Sequence, residues 1–321
     1  MRRIAAAIML ACLALPAMAQ VFPERPIRIV VPFAPGGATD VGARVLAEAL
    51  GAVSPQPVLV ENRVGGAGMV GAEAVGRATP DGHTLLFNNT SQAVLRVVVP
   101  NANFDPHRAL TPVSMVTEMP MVMLVANNFP ARDAREFISV VRANPGKYDY
   151  GSSGGGGTLG MAALLFTTTT GLDMSEIPYR GGAPATLDLA AGRIALVYDI
   201  ALTGLQTARG GQARAFAVSG PRRSPAAPEV PTWREVGVEA EMVVWQAIFA
   251  PAATPLPVRE ALHAMLARVQ ANPALQRRWA DLGVDRAMAL PVAESERYFA
   301  TEVERWEKLM AHYRAPQQAP R

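Results

Sequence analysis

Short apolar runs alternate along the chain with segments whose hydrophobic residues recur every three to four positions. That alternation predicts an α/β protein with mostly parallel sheet. Strands are expected at Ile27–Pro32, Val58–Glu61, Thr84–Asn88 and Met121–Ala126. A second group is expected at Tyr148–Gly151, Glu176–Tyr179, Ile194–Asp199, Arg214–Ser219 and Val243–Ala250. Between them, Val41, Val45, Leu46 and Ala49 share one helical face, and Phe137, Val140 and Val141 share another. The last third turns helical, over Val258–Gln270, Pro273–Leu282 and Val292–Tyr313. Phe299, Val303, Trp306 and Met310 form a stripe on the final helix, which reads as core packing rather than a ligand platform.

One strand–helix series, a second series and a helical end imply that the chain leaves its first domain and later returns to it. The expected division is residues 20–125 with 246–321 as domain 1 and residues 126–245 as domain 2. The crossings fall near Val125–Asn128 and Met242–Gln246, and two crossing strands would hinge an interdomain cleft. Pro221–Pro231 reads as a surface loop.

The first residues interrupt this pattern. Arg2 and Arg3 precede the apolar run Ile4–Leu15, and Ala17-Met18-Ala19 places small residues before a cut after Ala19. This is a secretory signal peptide, pointing to the periplasm; the run is too short for a bilayer span, which needs roughly 20 residues. Cys12 could take a lipid, although Met9 stands where a leucine-like residue is expected. Removal of residues 1–19 takes away this single cysteine, and with it any cysteine nucleophile or cysteine-ligated zinc. The formal net charge of +3 falls to +1 with the loss of Arg2 and Arg3, without basic clusters, so nucleic acid is not an expected partner. His83, His107, His263 and His312 are isolated and fit no metal-ligand spacing. No cofactor is expected.

The chemistry-bearing features are glycine-rich turns that each follow a predicted strand and open a helix. They are Pro35-Gly36-Gly37-Ala38-Thr39-Asp40, Gly65-Gly66-Ala67-Gly68, Ser152-Ser153-Gly154-Gly155-Gly156-Gly157-Thr158, and, after Tyr179, Gly181-Gly182-Ala183-Pro184. Glycine lets backbone approach a ligand, and the unbonded N–H groups of a first helical turn suit an anion. Several such groups could hold a carboxylate without a buried Lys or Arg. Thr39 and Asp40 fit capping of the first helix as well as ligand contact.

Two motifs point elsewhere. Gly66–Gly71 matches the dinucleotide pattern G-x-G-x-x-G, but the next strand ends Phe87-Asn88-Asn89 with no acid for a ribose. Gly151–Gly155 matches G-x-S-x-G, so a secreted serine hydrolase using Ser153, with Asp199 and His263 downstream, stays open as the alternative. His263 lies inside an amphipathic helical segment, which argues against it.

An ordered series of further motifs carries a family resemblance. It comprises Pro26–Gly37 with Thr39-Asp40, Val60-Glu61-Asn62-Arg63, Gly71–Val75, Pro80–Leu86, Pro178-Tyr179-Arg180-Gly181-Gly182, Tyr198-Asp199, Arg222–Pro225, Pro228–Thr232 and Phe249–Ala252. From about Phe22 to Trp306 the chain resembles the periplasmic substrate-binding subunits of tripartite tricarboxylate transporters, the Bug family. The resemblance implies a periplasmic-binding-protein (Venus-flytrap) fold of two α/β domains joined by two crossover strands. It implies a monomeric, non-enzymatic receptor that captures a small carboxylate in the cleft and is read by membrane permease subunits. It assigns ligand contact to Phe33, Ala34, Pro35, Gly36, Gly37, Thr39 and Asp40, and to Asn89, Thr90 and Ser91. From the second domain it adds Ser152, Ser153, Gly154, Gly156, Thr158, Tyr179 and Asp199, while Gly65–Gly71 becomes mainly structural. The sequence departs from the family pattern at Gln92-Ala93-Val94, at the four glycines Gly154–Gly157, at Gly160 and at Ile200. Each change removes a donor or bulk, which predicts a wider, less polar pocket and a larger or more apolar acid than succinate or malate.

Overall fold

The structure, a computed structural model, describes residues 22–153 and 157–314. The signal sequence, Cys12, the cut after Ala19 and Gly154–Gly156 lie outside the described residues, as does the side chain of His312.

The first series runs β1 (Ile27–Val31), α1 (Ala38–Gly51), β2 (Val58–Asn62), α2 (Met69–Gly76) and β3 (Thr84–Asn89). Two short helices, α3 (Leu95–Val98) and α4 (Pro106–Ala109), then lead into β4 (Leu110–Val125). The second series is α5 (Ala134–Arg142), β5 (Asp149–Ser152), α6 (Thr158–Thr170), β6 (Ser175–Pro178), α7 (Gly182–Ala190), β7 (Leu196–Ile200), α8 (Ala201–Arg209) and β8 (Arg214–Val218). The chain closes with β9 (Val243–Pro251), α9 (Leu256–Gln270), α10 (Pro273–Asp281), β10 (Arg286–Ala287) and α11 (Val292–Arg314). Local chemistry explains many of these ends. Asp133 accepts from Glu136 N at the start of α5, and Asn272 accepts from Ala274 N at α10, which carries Pro273 in its first turn.

The strands lie in the order β2-β1-β3-β9-β4-β7-β5-β6, with β8 and β10 also on β4. β1 is parallel to β2 and β3, and β5 is parallel to β6 and β7, as βαβ units require. β4 is common to both halves. Residues 110–120 pair antiparallel with β9, and residues 121–125 pair with β7 and β8. It thus runs from one lobe into the other as a single 16-residue strand. The sequence pattern showed only its second half, because Pro112, Ser114, Thr117 and Pro120 break the apolar run. The fold accommodates them locally: the register shifts between Pro112 and Ser114 and between Met115 and Thr117, and Pro120 ends the pairing with β9. Thr117 Oγ1 bonds Gln246 Oε1 at 3.1 Å, and Ser114 Oγ donates to Leu290 O.

The return passes beside this crossing. Ser219 N donates to Met121 O and Met242 N donates to Ser219 O, while the Ser219 hydroxyl accepts from Met121 N and donates to Met242 O. One buried serine therefore ties the outgoing and returning segments together.

All four tryptophans, Trp233, Trp245, Trp279 and Trp306, are fully buried. On α11, Phe299, Trp306 and Met310 are buried and Val303 is partly so, which makes the stripe core as its spacing predicts. Burying such side chains contributes roughly 1.5–3 kcal/mol each. The segment around Pro221–Pro231 departs from a plain surface loop. It buries Ala227 and Val230, and Val218 bridges to Thr232 beside the buried Trp233. No helix among the described residues is long and apolar enough to cross a membrane.

Candidate functional site

The strands of both lobes deliver helix starts to one place between them. α1 begins after Gly37, α6 after Gly157, α7 after Gly181 and α8 after Ile200, and none of these four caps uses a side chain. Their first N–H groups are thus left without side-chain caps. Gly181 has φ +137, and a Cβ there would lie 3.3 Å from Ala34 N, so glycine is what lets the two lobes meet. Ala34 N donates to Arg180 O at 3.2 Å across that seam.

An inner cavity of about 20 Å³ sits among these starts, lined by Phe33, Gly37, Ala38, Thr39, Asn89, Ser153, Leu159, Gly181, Gly182, Asp199 and Ile200. Asn89 is its hub. Its Nδ2 donates to Thr39 Oγ1 at 2.8 Å, and its Oδ1 accepts from Ser91 N at 2.9 Å and from Thr158 Oγ1 at 2.7 Å. One amide therefore links α1 of the first lobe to α6 of the second. Ser153 Oγ is buried without a hydrogen-bond partner among the described residues.

Among the described residues of the wall, the one with a titratable charge is Asp199. Burial pushes its carboxyl up to about 6, against the hydrogen bonds from Thr203 Oγ1 and Ile200 N that favour the ionised form. Asp40, nearby in sequence pattern, is a different object. Burial would raise its carboxyl, but donors from Arg44, Gly36 N and Asn62 outweigh that and hold it below its usual range.

A second, outer cavity of about 370 Å³ adjoins the first, with Phe33 and Ser153 in both walls. Pro32, Val64, Gly65–Gly68, Tyr179 and Arg180 complete it. The Gly65–Gly68 turn thus lines the cleft, a place its reading as mainly structural did not foresee. The last glycine of that motif is a packing residue: a Cβ on Gly71 would meet Pro32 Cβ at 2.8 Å.

The residues expected at the ligand do not all reach the cavity. Phe33, Gly37, Thr39, Asn89, Ser153 and Asp199 line the inner cavity, and Tyr179 lines the outer one with its hydroxyl donating to Asp188 Oδ2 at 2.7 Å. Thr158 reaches the cavity through Asn89. Pro35 and Gly36 are exposed at the rim, and Ala34 makes the bond across the seam. Asp40 braces the first turn, Thr90 Oγ1 accepts from Trp245 N at 3.1 Å, and Ser91 and Ser152 are buried off the cavity wall. Gly154 and Gly156 lie outside the described residues.

Leu159, Ile200, Gly181, Gly182 and Arg180 line the site without having been assigned ligand contact. The Gly181-Gly182 turn and the Arg180 beside it carried a sequence signal in the motif after Pro178, and Ile200 was marked as a departure from the family pattern. The inner cavity is narrow where the departures from the family pattern predicted width. Ile200 stands in its wall, Gln92 Oε1 turns away to Asn88 Nδ2, and a Cβ on Gly160 would lie 3.2 Å from Ser152 Cβ.

The serine hydrolase alternative lacks its base. Ser153 Oγ bonds no histidine, and His263 on α9 has an unbonded Nδ1 that reaches neither Ser153 nor Asp199. A triad needs nucleophile, histidine and acid in hydrogen-bond sequence.

Comparison with known proteins agrees with this geometry. Residues 42–314 match the family described as tripartite tricarboxylate transporter family receptor. BugT of Bordetella pertussis is 33% identical over 297 residues, covering 92% of this chain and 91% of BugT. MatC from Rhodopseudomonas palustris, solved with malate, is 31% identical with a TM-score of 0.81, covering 89% of this chain and 99% of MatC. Another R. palustris protein, solved with adipate, is 29% identical with a TM-score of 0.87, covering 91% of this chain and 98% of that one. The chain belongs to the tripartite tricarboxylate transporter receptor family, the Bug-type solute-binding proteins of the periplasm, which are receptors and not enzymes.

Proposed function

We propose that this receptor captures a small carboxylate between its two lobes and hands it to membrane permease subunits. The observation that carries the reading is the convergence of four uncapped helix starts, α1, α6, α7 and α8, on one cavity whose wall holds no Lys or Arg. Backbone N–H groups are the donors such a wall offers to an anion, and a charge-assisted hydrogen bond contributes about 1.5–3 kcal/mol. Two relatives solved with malate and with adipate make dicarboxylates the first ligands to test.

The inner cavity of about 20 Å³ has room for about one water, so entry of a ligand needs the lobes to part. We place the lobe boundaries where β4 changes partner and where β9 begins, at Pro120–Met121 and Met242–Val243, in place of the expected boundaries after residues 125 and 245. β4, near Pro120–Met121, and the return at Met242–Val243 carry the hinge, stapled by Ser219. Export by cleavage after Ala19 and action as a monomer belong to the same proposal.

The test is a thermal-shift panel on residues 20–321, unfolded and refolded to strip bound ligand. A specific binder at a hundredfold excess over Kd stabilises by about 2.7 kcal/mol. A shift with one acid and none with its amide supports carboxylate capture. No shift with any di-, tri- or aromatic carboxylate, from a protein that refolds fully, overturns it.

A further inference from the structure

We propose that the outer cavity seats the ligand's second acidic group at Arg180, so that the site selects dicarboxylates longer than succinate. This rests on the reading that the first carboxylate docks in the inner cavity, and it adds what lies at the ligand's other end.

Three observations carry it. The first is volume. The inner cavity of about 20 Å³ cannot contain a ligand body, whereas the adjoining outer cavity of about 370 Å³ falls in the range of small-molecule pockets. A ligand anchored inside must therefore extend past Phe33 and Ser153, the two residues shared by both walls.

The second is charge. Arg180 is the one charged residue of the outer wall among the described residues. Arginines bordering other lining residues are engaged: Arg63, beside Val64, pairs with Glu61 at 2.6 Å, and Arg193 pairs with Asp188, the partner of the Tyr179 hydroxyl. Arg180 itself is exposed, with no ion pair or side-chain hydrogen bond to any described residue. A guanidinium on a cavity wall with no acid beside it is matched to a carboxylate that arrives with the ligand.

The third is position. The Arg180 carbonyl accepts from Ala34 N at 3.2 Å, so this residue is fixed to the first lobe's turn in the closed cleft. With the lobes together its charge lies beside the first lobe's turn, where it can hold the far end of a ligand and favour closure. Between the two ends the wall is Pro32, Phe33, Val64 and the ring of Tyr179, whose hydroxyl is already committed to Asp188. The backbone of Gly65–Gly68 and the Ser153 Oγ, unpartnered among the described residues, complete that stretch, so it packs against a ligand body and also offers it polar atoms.

The experiment is calorimetric titration of residues 20–321 with succinate, glutarate, adipate and pimelate, using hexanoate as the single-acid control. Wild type, Arg180→Gln and Arg180→Lys are compared. The expected result is at least tenfold tighter binding of a longer diacid than of succinate or hexanoate. Arg180→Gln then loses about tenfold or more for that diacid, as removal of one charge-assisted contact implies, and leaves hexanoate unchanged. Arg180→Lys restores part of the loss. Because the side chain is exposed and unpaired, both variants should melt with wild type, and circular dichroism confirms folding. Equal affinity of wild type and Arg180→Gln for every diacid, or succinate or hexanoate binding as tightly as the longer diacids, overturns the role of Arg180 while the inner site stands. No binding of any carboxylate, together with an Asn89→Ala variant indistinguishable in every titration, overturns the inner-site reading and this proposal with it.

Discussion

The two walls of the cleft place an aspartate at the same kind of junction, where a strand meets a helix, and treat it in opposite ways. On the first wall Asp40 sits in the first turn of α1 and collects Gly36 N, Asn62 Nδ2 and the Arg44 guanidinium. On the second wall Asp199 sits at the end of β7, next to the start of α8, with one hydroxyl and one N–H donor and no cation. Both are buried. The first is held ionised and braces a turn; the second carries a strained charge that a proton or a ligand donor would relieve. The lesson is that the number and charge of partners decides what a buried acid does, and its place in the topology does not.

Asn89 joins the walls, so its removal should have the largest effect on this contrast. Asn89→Ala leaves Ser91 N, Thr39 Oγ1 and Thr158 Oγ1 without their buried partner. Denaturant titration should show a loss of about 3 kcal/mol, since each buried unsatisfied group costs about 1–3 kcal/mol. A loss under about 0.5 kcal/mol would mean that the walls are not coupled through this amide.

Asp199→Asn comes next, and its sign is opposite. The folded carboxyl is raised to about 6 from its ordinary 3.8, so the folded state holds the extra proton between those values. Stability of the wild type should therefore fall as pH rises through that window and then level off. At pH 7.5 the asparagine variant should be more stable by about 2 kcal/mol, with the gap closing near pH 4. Parallel pH profiles for the two proteins would refute this account. The same variant reports the ligand class. Above pH 6 it should tighten binding of a plain carboxylate, which no longer meets a like charge, and weaken binding of an amino acid, which loses a partner for its ammonium.

The smallest effect is expected on the braced wall. Asp40 has a lowered folded pKa, so its stabilisation is present above the unfolded value and disappears as acid protonates the folded carboxyl. Because Arg44 is half exposed, Asp40→Asn should cost only about 1 kcal/mol at neutral pH and nothing in strong acid. A loss as large as that of Asn89→Ala would show that the first wall depends on this charge far more than its exposure implies.

Much of this was legible because it is local. The glycine turns before Thr39, Thr158 and Gly182 follow from strand, turn and helix periodicity, and these turns did open helices. The stripe on α11 was legible for the same reason. The first half of β4 was not, since Pro112 and Pro120 are compatible with a strand only when bulges and a change of partner absorb them. Nor could spacing show which polar residues face the cavity. Thr39 and Thr90 look alike in the chain, yet one faces the cavity and the other accepts from Trp245 N behind it. Leu159 carries no chemical signal at all and lines the site through the geometry of the turn that holds it, while Ile200 was marked only by its departure from the family pattern.

The sequence by itself determined the α/β class, the export signal as an expectation, the receptor family and the turns that open the cleft helices. These depend on short-range periodicity and backbone preference, which neighbouring residues specify. The tertiary structure alone decided that the cleft has a narrow inner and a roomy outer part, that Arg180 stands unpaired among the described residues of the second, and that the carboxyls of Asp40 and Asp199 are shifted in opposite directions. Those properties depend on distances between residues far apart in the chain, and electrostatic state follows distance and burial rather than order along the backbone.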